Sequence, residues 1–435
     1  MKHRMPVLAL VALSLLALLP ALTTAAAEGR IPQTVGKDIR IGGAGAVGED
    51  STPAVAANNT NRAYLVVWSD GRTPADYNIY GHQVSVDGET MGSDIRISGP
   101  GATSHETAPA IVWNAARNEY LVVWGDDRNP SRGRDIWGRL LDGEGQPISS
   151  DFRISGNNAT GSEYSPAVAW NPVKDQYLVV WEDGRNPANF GIYARRVSAL
   201  GQVVGGEIQV TGAGATGWDS APDVAASSSA GEYLVVWEDE RNYLAGKGYD
   251  IYGRRVSTEG QKLGLDTRIN KVQTSNQQSP AIAWNDLALQ YLVVWQDTRN
   301  YAVTEEDVYG RLVQANGTRV GGDIRVTSAA HSQYAPAVAC NPNIGGYLVV
   351  WEDWRNYAPG LPGDRGSDTY ARRLASDGTR VGTEFRVSGT GGTAQEDNPD
   401  VAFERGLYGG YLPVWSDARW AATADTDIVG HQVLP

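Results

Sequence analysis

The chain is almost without cysteine. Cys340 is the only one in 435 residues, which excludes an internal disulfide framework. It stands where sister copies of the repeat described below carry Trp113, Trp170 and Trp284, so it reads as a small buried hydrophobe rather than a nucleophile. No lipobox cysteine is present, which argues against a lipoprotein. Long hydrophobic runs are also scarce: the stretch from Val7 to Leu19 is too short and too early for a membrane span. With Lys2 and Arg4 before it and Ala25-Ala26-Ala27 after it, residues 1–27 read as a secretory leader, leaving 28–435 as a mature chain that is secreted or held in the periplasm or cell envelope. Beyond the leader no ten-residue segment has helical period. Gly-x-x-x-x-Gly-Lys, His-Glu-x-x-His, Cys-x-x-Cys and Gly-x-Ser-x-Gly are all missing, so their chemistries have no support. So is the Asp-x-Asp-x-Asp-Gly calcium loop, and no metal or cofactor is expected. Positive charge is in deficit: the net charge is −13, and more negative once Lys2 and Arg4 leave with the leader. Such a chain repels nucleic acid.

What the sequence has is one phrase said seven times. Tyr-Leu-Val-Val-Trp begins at Tyr64, Tyr120, Tyr177, Tyr233, Tyr291 and Tyr347, and Tyr-Leu-Pro-Val-Trp at Tyr411. The steps are 56, 57, 56, 58, 56 and 64 residues, a period that marks a repeat architecture. Each unit holds four short runs rich in Val, Ile, Tyr and Trp, bounded by Gly, Pro, Asn and Asp, which read as strands a to d. The units open near Pro53, Pro109, Pro166, Pro222, Pro280, Pro336 and Pro399. Strand b is apolar on both of its alternating faces, so it must be covered on both sides. Four-stranded sheets arranged radially meet that demand, which predicts an all-β, seven-bladed propeller. The ends sharpen this. Asp38-Ile39-Arg40-Ile41 matches strand d, whereas the chain closes on a strand c at Asp427 to Val433. Residues 38–41 are therefore expected to complete the seventh sheet and leave no open edge.

The run Trp237-Glu238-Asp239-Glu240-Arg241-Asn242 with Asp250-Ile251-Tyr252-Gly253-Arg254-Arg255-Val256 resembles the repeat of secreted bacterial propeller proteins, and more distantly TolB-like and WD40-like propellers. The resemblance covers almost all of the mature chain. It implies the fold and no particular activity, and the Asp-box pattern of sialidases is absent.

Two residues after each strand-b Trp stands an Asp, and two further on an Arg: Asp70 and Arg72, Asp126 and Arg128, Asp183 and Arg185, Asp239 and Arg241, Asp297 and Arg299, Asp353 and Arg355, Asp417 and Arg419. Sevenfold occurrence favours a structural network in which each Arg clamps acceptors of its own or the next blade. Three residues before each strand-a Pro lies Asp50, Glu106, Glu163, Asp219, Gln277, Gln333 or Glu396. All of these fall at one end of their strands, and hence on one face of the ring.

Departures from the repeat are where function is sought. After the Arg, units one to three carry Pro74, Pro130 and Pro187, whereas units four to six carry Tyr243, Tyr301 and Tyr357. With Trp218, Trp354 and Trp420 these predict an aromatic crescent on blades four to seven, suited to sugar rings or a protein partner. The d–a loops hold Glu49, His105, Glu106, Glu163, Tyr164, Trp218, Asp219, His331, Tyr334, Glu396 and Asp397, which predicts an acidic mouth to the central channel. Glu49, Glu106, Glu163, Asp219, His105, His331 and Glu396 are the candidate acid–base groups. The leading reading is a non-enzymatic, monomeric module that binds an extracellular glycan or protein on this face. A glycoside hydrolase or polysaccharide lyase is the alternative, and a structural surface protein a third.

Overall fold

The computed structural model describes residues 34–42, 48–73, 76–99, 105–156, 161–212, 217–271, 274–357, 366–389, 395–406, 409–419 and 426–435. The expected leader at 1–27, Pro74 and Trp420 lie outside the described residues. Residues 32–435 form one compact unit.

Seven four-stranded antiparallel sheets make up this unit. Blade one is typical: strand a is Asp50–Asn58, b is Ala63–Asp70, c is Asn78–Ser85 and d is Thr90–Arg96. Each strand a packs on strand a of the next blade, and Glu396–Phe403 packs on Asp50–Asn58, which closes the circle. The seventh sheet runs Thr34–Arg40, Asp427–Val433, Tyr411–Asp417, Glu396–Phe403 in spatial order. Its outermost strand therefore comes from the chain's start, with Thr34 opposite Val433 and Arg40 opposite Val429. The strand is longer than the expected 38–41 and begins at Thr34.

The core lies between blades, not within them. Leu65, Val67, Ile79 and Ile97 of blade one pack with Tyr120, Val122, Trp124 and Leu141 of blade two, and the same arrangement recurs around the ring to Leu412 and Val414 of blade seven against Tyr64, Val66 and Trp68 of blade one. This is why strand b is apolar on both faces: its Leu and second Val face one neighbour, and its Tyr, first Val and Trp face the other. Cys340 is half-buried beside the cluster shared by blades five and six, and burial pushes its thiol up to about 12, far from a nucleophile's range. Two one-turn helices, Tyr243–Ala245 and Tyr301–Thr304, sit in the b–c loops of blades four and five.

A bulge recurs in every strand a. Thr52, Ala108, Ser165, Ala221, Ser279, Ala335 and Asn398 have φ between 43° and 52°, and the register with strand b shifts there. Each precedes the strand-a Pro, whose missing N–H is no loss on the innermost edge of a sheet. These paired residues from all seven blades line an axial cavity of about 340 Å³.

Candidate functional site

The b–c and d–a loops lie at one end of the strands, so they share a face with the mouth of the axial cavity. Beneath that face lies the repeated Asp–Arg pair. In blade three, Arg185 Nε and Nη2 donate to Asp183 at 2.7 and 2.6 Å, and Nη2 also reaches Glu207 on strand d at 3.0 Å. The guanidinium stacks 4.0 Å from the Tyr193 ring centroid, and Trp181 Nε1 donates to Asp183 at 3.1 Å. The same Asp and a strand-d acid meet Arg72, Arg128, Arg241, Arg299, Arg355 and Arg419. The strand-d acid of one blade in turn accepts a backbone N–H from the blade before: Gly156 to Glu207 at 2.5 Å, Gly212 to Asp266 at 3.0 Å.

The acids at the start of strand a do not line the mouth, which corrects the sequence reading. Asp50, Glu106, Glu163, Asp219 and Glu396 are 0–2% exposed and lie opposite the strand-b Asp of their own blade. Strand alternation is the reason: residues one apart point to opposite sides, so Glu163 and Glu396 turn inward while Tyr164 and Asp397 turn to the other side. Glu49, His105 and His331 are exposed. His105 lies 5.4 Å from the Tyr77 ring and His331 Nδ1 lies 3.8 Å from Glu305, each on its own sector of the ring.

The side chains bonded to the cavity lining belong instead to the residue between Trp and Asp on strand b, which pairs with a strand-a residue of its own blade. Around the ring these pairs are Ser69 with Ser51, Gly125 with Thr107, Glu182 with Tyr164, Glu238 with Ser220, Gln296 with Gln278, Glu352 with Tyr334, and Ser416 with Asp397. The strand-b member reaches the cavity-lining residue of the next blade. Ser69 Oγ accepts the Ala108 N–H at 3.2 Å, Glu238 the Ser279 N–H at 3.4 Å, and Gln296 the Ala335 N–H at 3.4 Å. Blades one and two offer only hydroxyls and a glycine here and blade five two glutamines, whereas blades three, four, six and seven offer carboxyls, with tyrosines in three and six. Burial raises the pKa of Glu182 and Glu238. Burial, then the adjacent Asp397 carboxyl, raises that of Glu352, and these two share a side-chain hydrogen bond.

Aromatic rings border this arc. Phe190 meets Trp218 edge-on at 4.8 Å and Tyr164 at 6.5 Å. Trp218 is 49% exposed, and its backbone N–H donates to Glu240 Oε2 at 2.8 Å. Glu240 Oε1 accepts from the Tyr249 hydroxyl at 3.4 Å, and Tyr249 lies 5.0 Å from the exposed Tyr243. Further round, Trp354 is half-buried, donates to Glu352 Oε1 at 2.6 Å and meets exposed Tyr357 at 4.9 Å. Tyr301 is 60% exposed on its one-turn helix. The expected crescent on blades four to seven is therefore redrawn: it begins in blade three with Tyr164 and Phe190, and ring planes at 78°, 34° and 76° make separate patches rather than one flat platform.

Sequence reasoning passed over Glu182, Glu238, Glu352, Phe190 and Tyr249 because it sought departures only at loop positions already out of register. Aligning the seven copies column by column would expose the three glutamates, since the Trp-x-Asp column reads Ser, Gly, Glu, Glu, Gln, Glu, Ser. The same comparison isolates Asp223 and Asp400, which replace the Ala of the other five blades after the strand-a Pro. Their carboxylates accept the Ile282 and Val55 N–H groups of the next blade at 2.9 and 2.8 Å. Burial pushes them up to about 7 and about 6.

Among the described residues no group of three or more His, Cys, Asp or Glu could hold a metal ion, and no helix is long and apolar enough to cross a membrane. No family model and no curated protein matches the chain. Solved structures do. A protein of unknown function from Dyadobacter fermentans is 8% identical over 93% of this chain and 99% of its own, with a TM-score of 0.54. The GH93 α-L-arabinofuranosidase of Fusarium graminearum, in complex with arabinobiose, is 11% identical over 92% and 97%, with a TM-score of 0.50. A puromycin hydrolase mutant is 11% identical over 86% of this chain and 50% of its own, at 0.53. At such identities the likeness is one of fold, and it agrees with the seven-bladed ring.

Proposed function

We propose that this protein is exported and engages a glycan on the face where the b–c and d–a loops meet, across the mouth arc of blades three to seven. The observation that carries this is Trp218, half exposed, braced edge-on by Phe190 and tied through its backbone to Glu240. A braced ring beside carboxylates suits a saccharide, whose C–H face stacks while its hydroxyls donate to acids such as Glu240 and Glu182. A fold shared with an enzyme that carries arabinobiose in its complex supports a saccharide over a protein partner. Hydrolysis is the second reading, favoured by the Glu352–Asp397 pair, because a carboxyl kept neutral next to another carboxylate can act as a general acid. Binding stands first on geometry. Those two carboxyls are directly hydrogen-bonded, whereas glycosidases hold theirs about 5 Å apart or more.

Calorimetric titration with a panel of soluble oligosaccharides, arabinan fragments included, tests this. At least one should bind, and Trp218→Ala should weaken it about tenfold or more, as loss of a buried aromatic anchor does. Equal binding by the variant removes the arc from consideration. Release of reducing ends by the native protein but not by Glu352→Gln would move hydrolysis to first place.

A further inference from the structure

The five strand-a acids lie in a place where the protein's own charge count leaves no room for another anion. In blade five, Arg299 and Arg311 face Asp297 and Asp323, two cations to two carboxylates, and the strand-a position is Gln277. Blade six repeats this with Arg355 and Arg372 against Asp353 and Glu384, and with Gln333. Where the position is an acid, no cation is added: blades two and four keep both Arg, blades one and seven have a His in place of the second, and in blade three Arg185 faces Asp183 and Glu207, with Glu163 added. Blade two has Arg128 and Arg139 against Asp126 and Asp151, with Glu106 added. Blade four has Arg241 and Arg254 against Asp239 and Asp266, with Asp219 added. Blade seven has Arg419 and His431 against Asp417 and Asp38, with Glu396 added. Blade one has Arg72 and His82 against Asp70 and Asp94, with Asp50 added.

The position also joins two blades. Glu163 Oε2 accepts the Ile136 N–H of blade two at 3.1 Å, and Glu396 Oε2 accepts the Thr369 N–H of blade six at 2.7 Å. Gln277 Oε1 does the same work, accepting from Asn270 of blade four at 2.6 Å. A neutral amide thus serves where the other blades use an acid.

We propose that Asp50, Glu106, Glu163, Asp219 and Glu396 are carried as neutral carboxylic acids, and that the ring loosens when alkali withdraws the five protons and sets a carboxylate against the strand-b Asp of each blade. The groups facing them agree. Glu106 is confronted by Asp126, Arg128 and Asp151, Glu163 by Asp183 and Asp135, and Glu396 by Asp417, Arg419 and, at 4.0 Å, Arg386 of blade six, with a serine hydroxyl from the preceding blade at each; Asp50 faces Asp70, Arg72 and Asp427, and Asp219 faces Asp239, Arg241 and Thr211. Burial, with the neighbouring Asp, pushes these three glutamates up to about 8, and raises Asp50 and Asp219 likewise. With the folded pKa above the unfolded value, unfolding releases protons between about pH 4.5 and 8, so stability falls as pH rises through that window.

Calorimetric melting of the intact protein between pH 5 and 9 tests this. The melting temperature should fall with rising pH, and the number of protons released on unfolding near pH 6 should drop by about one for each of Glu106→Gln, Glu163→Gln and Glu396→Gln. Gln277→Glu should add about one. Because a variant could fail to fold, infrared spectra of the native protein give a second reading: carboxylic C=O bands should be present at pH 6 and clearly weaker at pH 9. A flat melting profile over this range, proton release unchanged by the Gln variants, or no such bands at pH 6 would each overturn the proposal.

Discussion

The Arg of each repeat is the residue on which the ring's loops turn. Arg185 is shared between Asp183 and Glu207 while lying on Tyr193, and Asp183 has no exposed side-chain surface. Removing one partner of such a set strands a buried charge, which costs about 3 kcal/mol, whereas a surface ion pair contributes about 0–1. Arg185→Ala is accordingly expected to lose about 3 kcal/mol in urea unfolding. A loss under about 0.5 kcal/mol would mean that the pair behaves as an exposed one. The Asp–Arg spacing is visible in the sequence, but the strand-d acid that completes each set is not. Glu207 and Asp266 follow their Arg by 22 and 25 residues, and only the hairpin of strands c and d brings them back. The inward turn of Glu163 against the outward turn of Tyr164 was hidden for another reason: both were placed in a loop, and in a strand one residue reverses the face.

At the scale of elements, the closing strand Thr34–Arg40 does more than cover an edge. It brings Asp38, the strand-d acid of the seventh set, to Arg419, to His431 at 2.8 Å and to the Gly389 N–H of blade six at 2.9 Å. Burial alone would raise the Asp38 pKa, but the bonds from His431 and Arg419 outweigh it and hold the pKa below the ordinary value of 3.8. That contribution is full above the ordinary aspartate range and is lost as pH falls through it, opposite in sign to the strand-a acids. A chain starting at Gly42 should therefore melt well below the intact protein and tend to dimerise or aggregate through the open edge of Asp427–Val433. Light scattering and melting measure both. An unaltered melting temperature would mean that the seventh sheet does not depend on the strand. This element was legible because Asp38-Ile39-Arg40-Ile41 repeats the strand-d phrase of Asp94-Ile95-Arg96-Ile97. The strand-a bulge was not, because positive φ at Ala108 or Ser165 leaves no mark in residue type.

For the whole molecule, sevenfold likeness builds the ring and its failure builds the site. At the strand pairs blades one and two keep Ser51, Ser69, Thr107 and Gly125, blade five keeps Gln278 and Gln296, and the carboxyls and tyrosines fall in blades three, four, six and seven. The sequence announced the ring through its period, and put Trp218, Tyr243, Tyr301 and Tyr357 in the b–c and d–a loops, where the structure has them. It could not show which rings touch, since Phe190 and Trp218 come from different blades. The most direct test of the proposed glycan site is hydrogen–deuterium exchange with and without the tightest oligosaccharide from the panel. Protection should fall on the loops of blades three to seven around Ser162–Tyr164, Trp218–Ser220 and Glu240–Tyr249, and leave the a–b turns of the opposite face unchanged. Protection confined to those turns, or to blades one and two, would contradict the account.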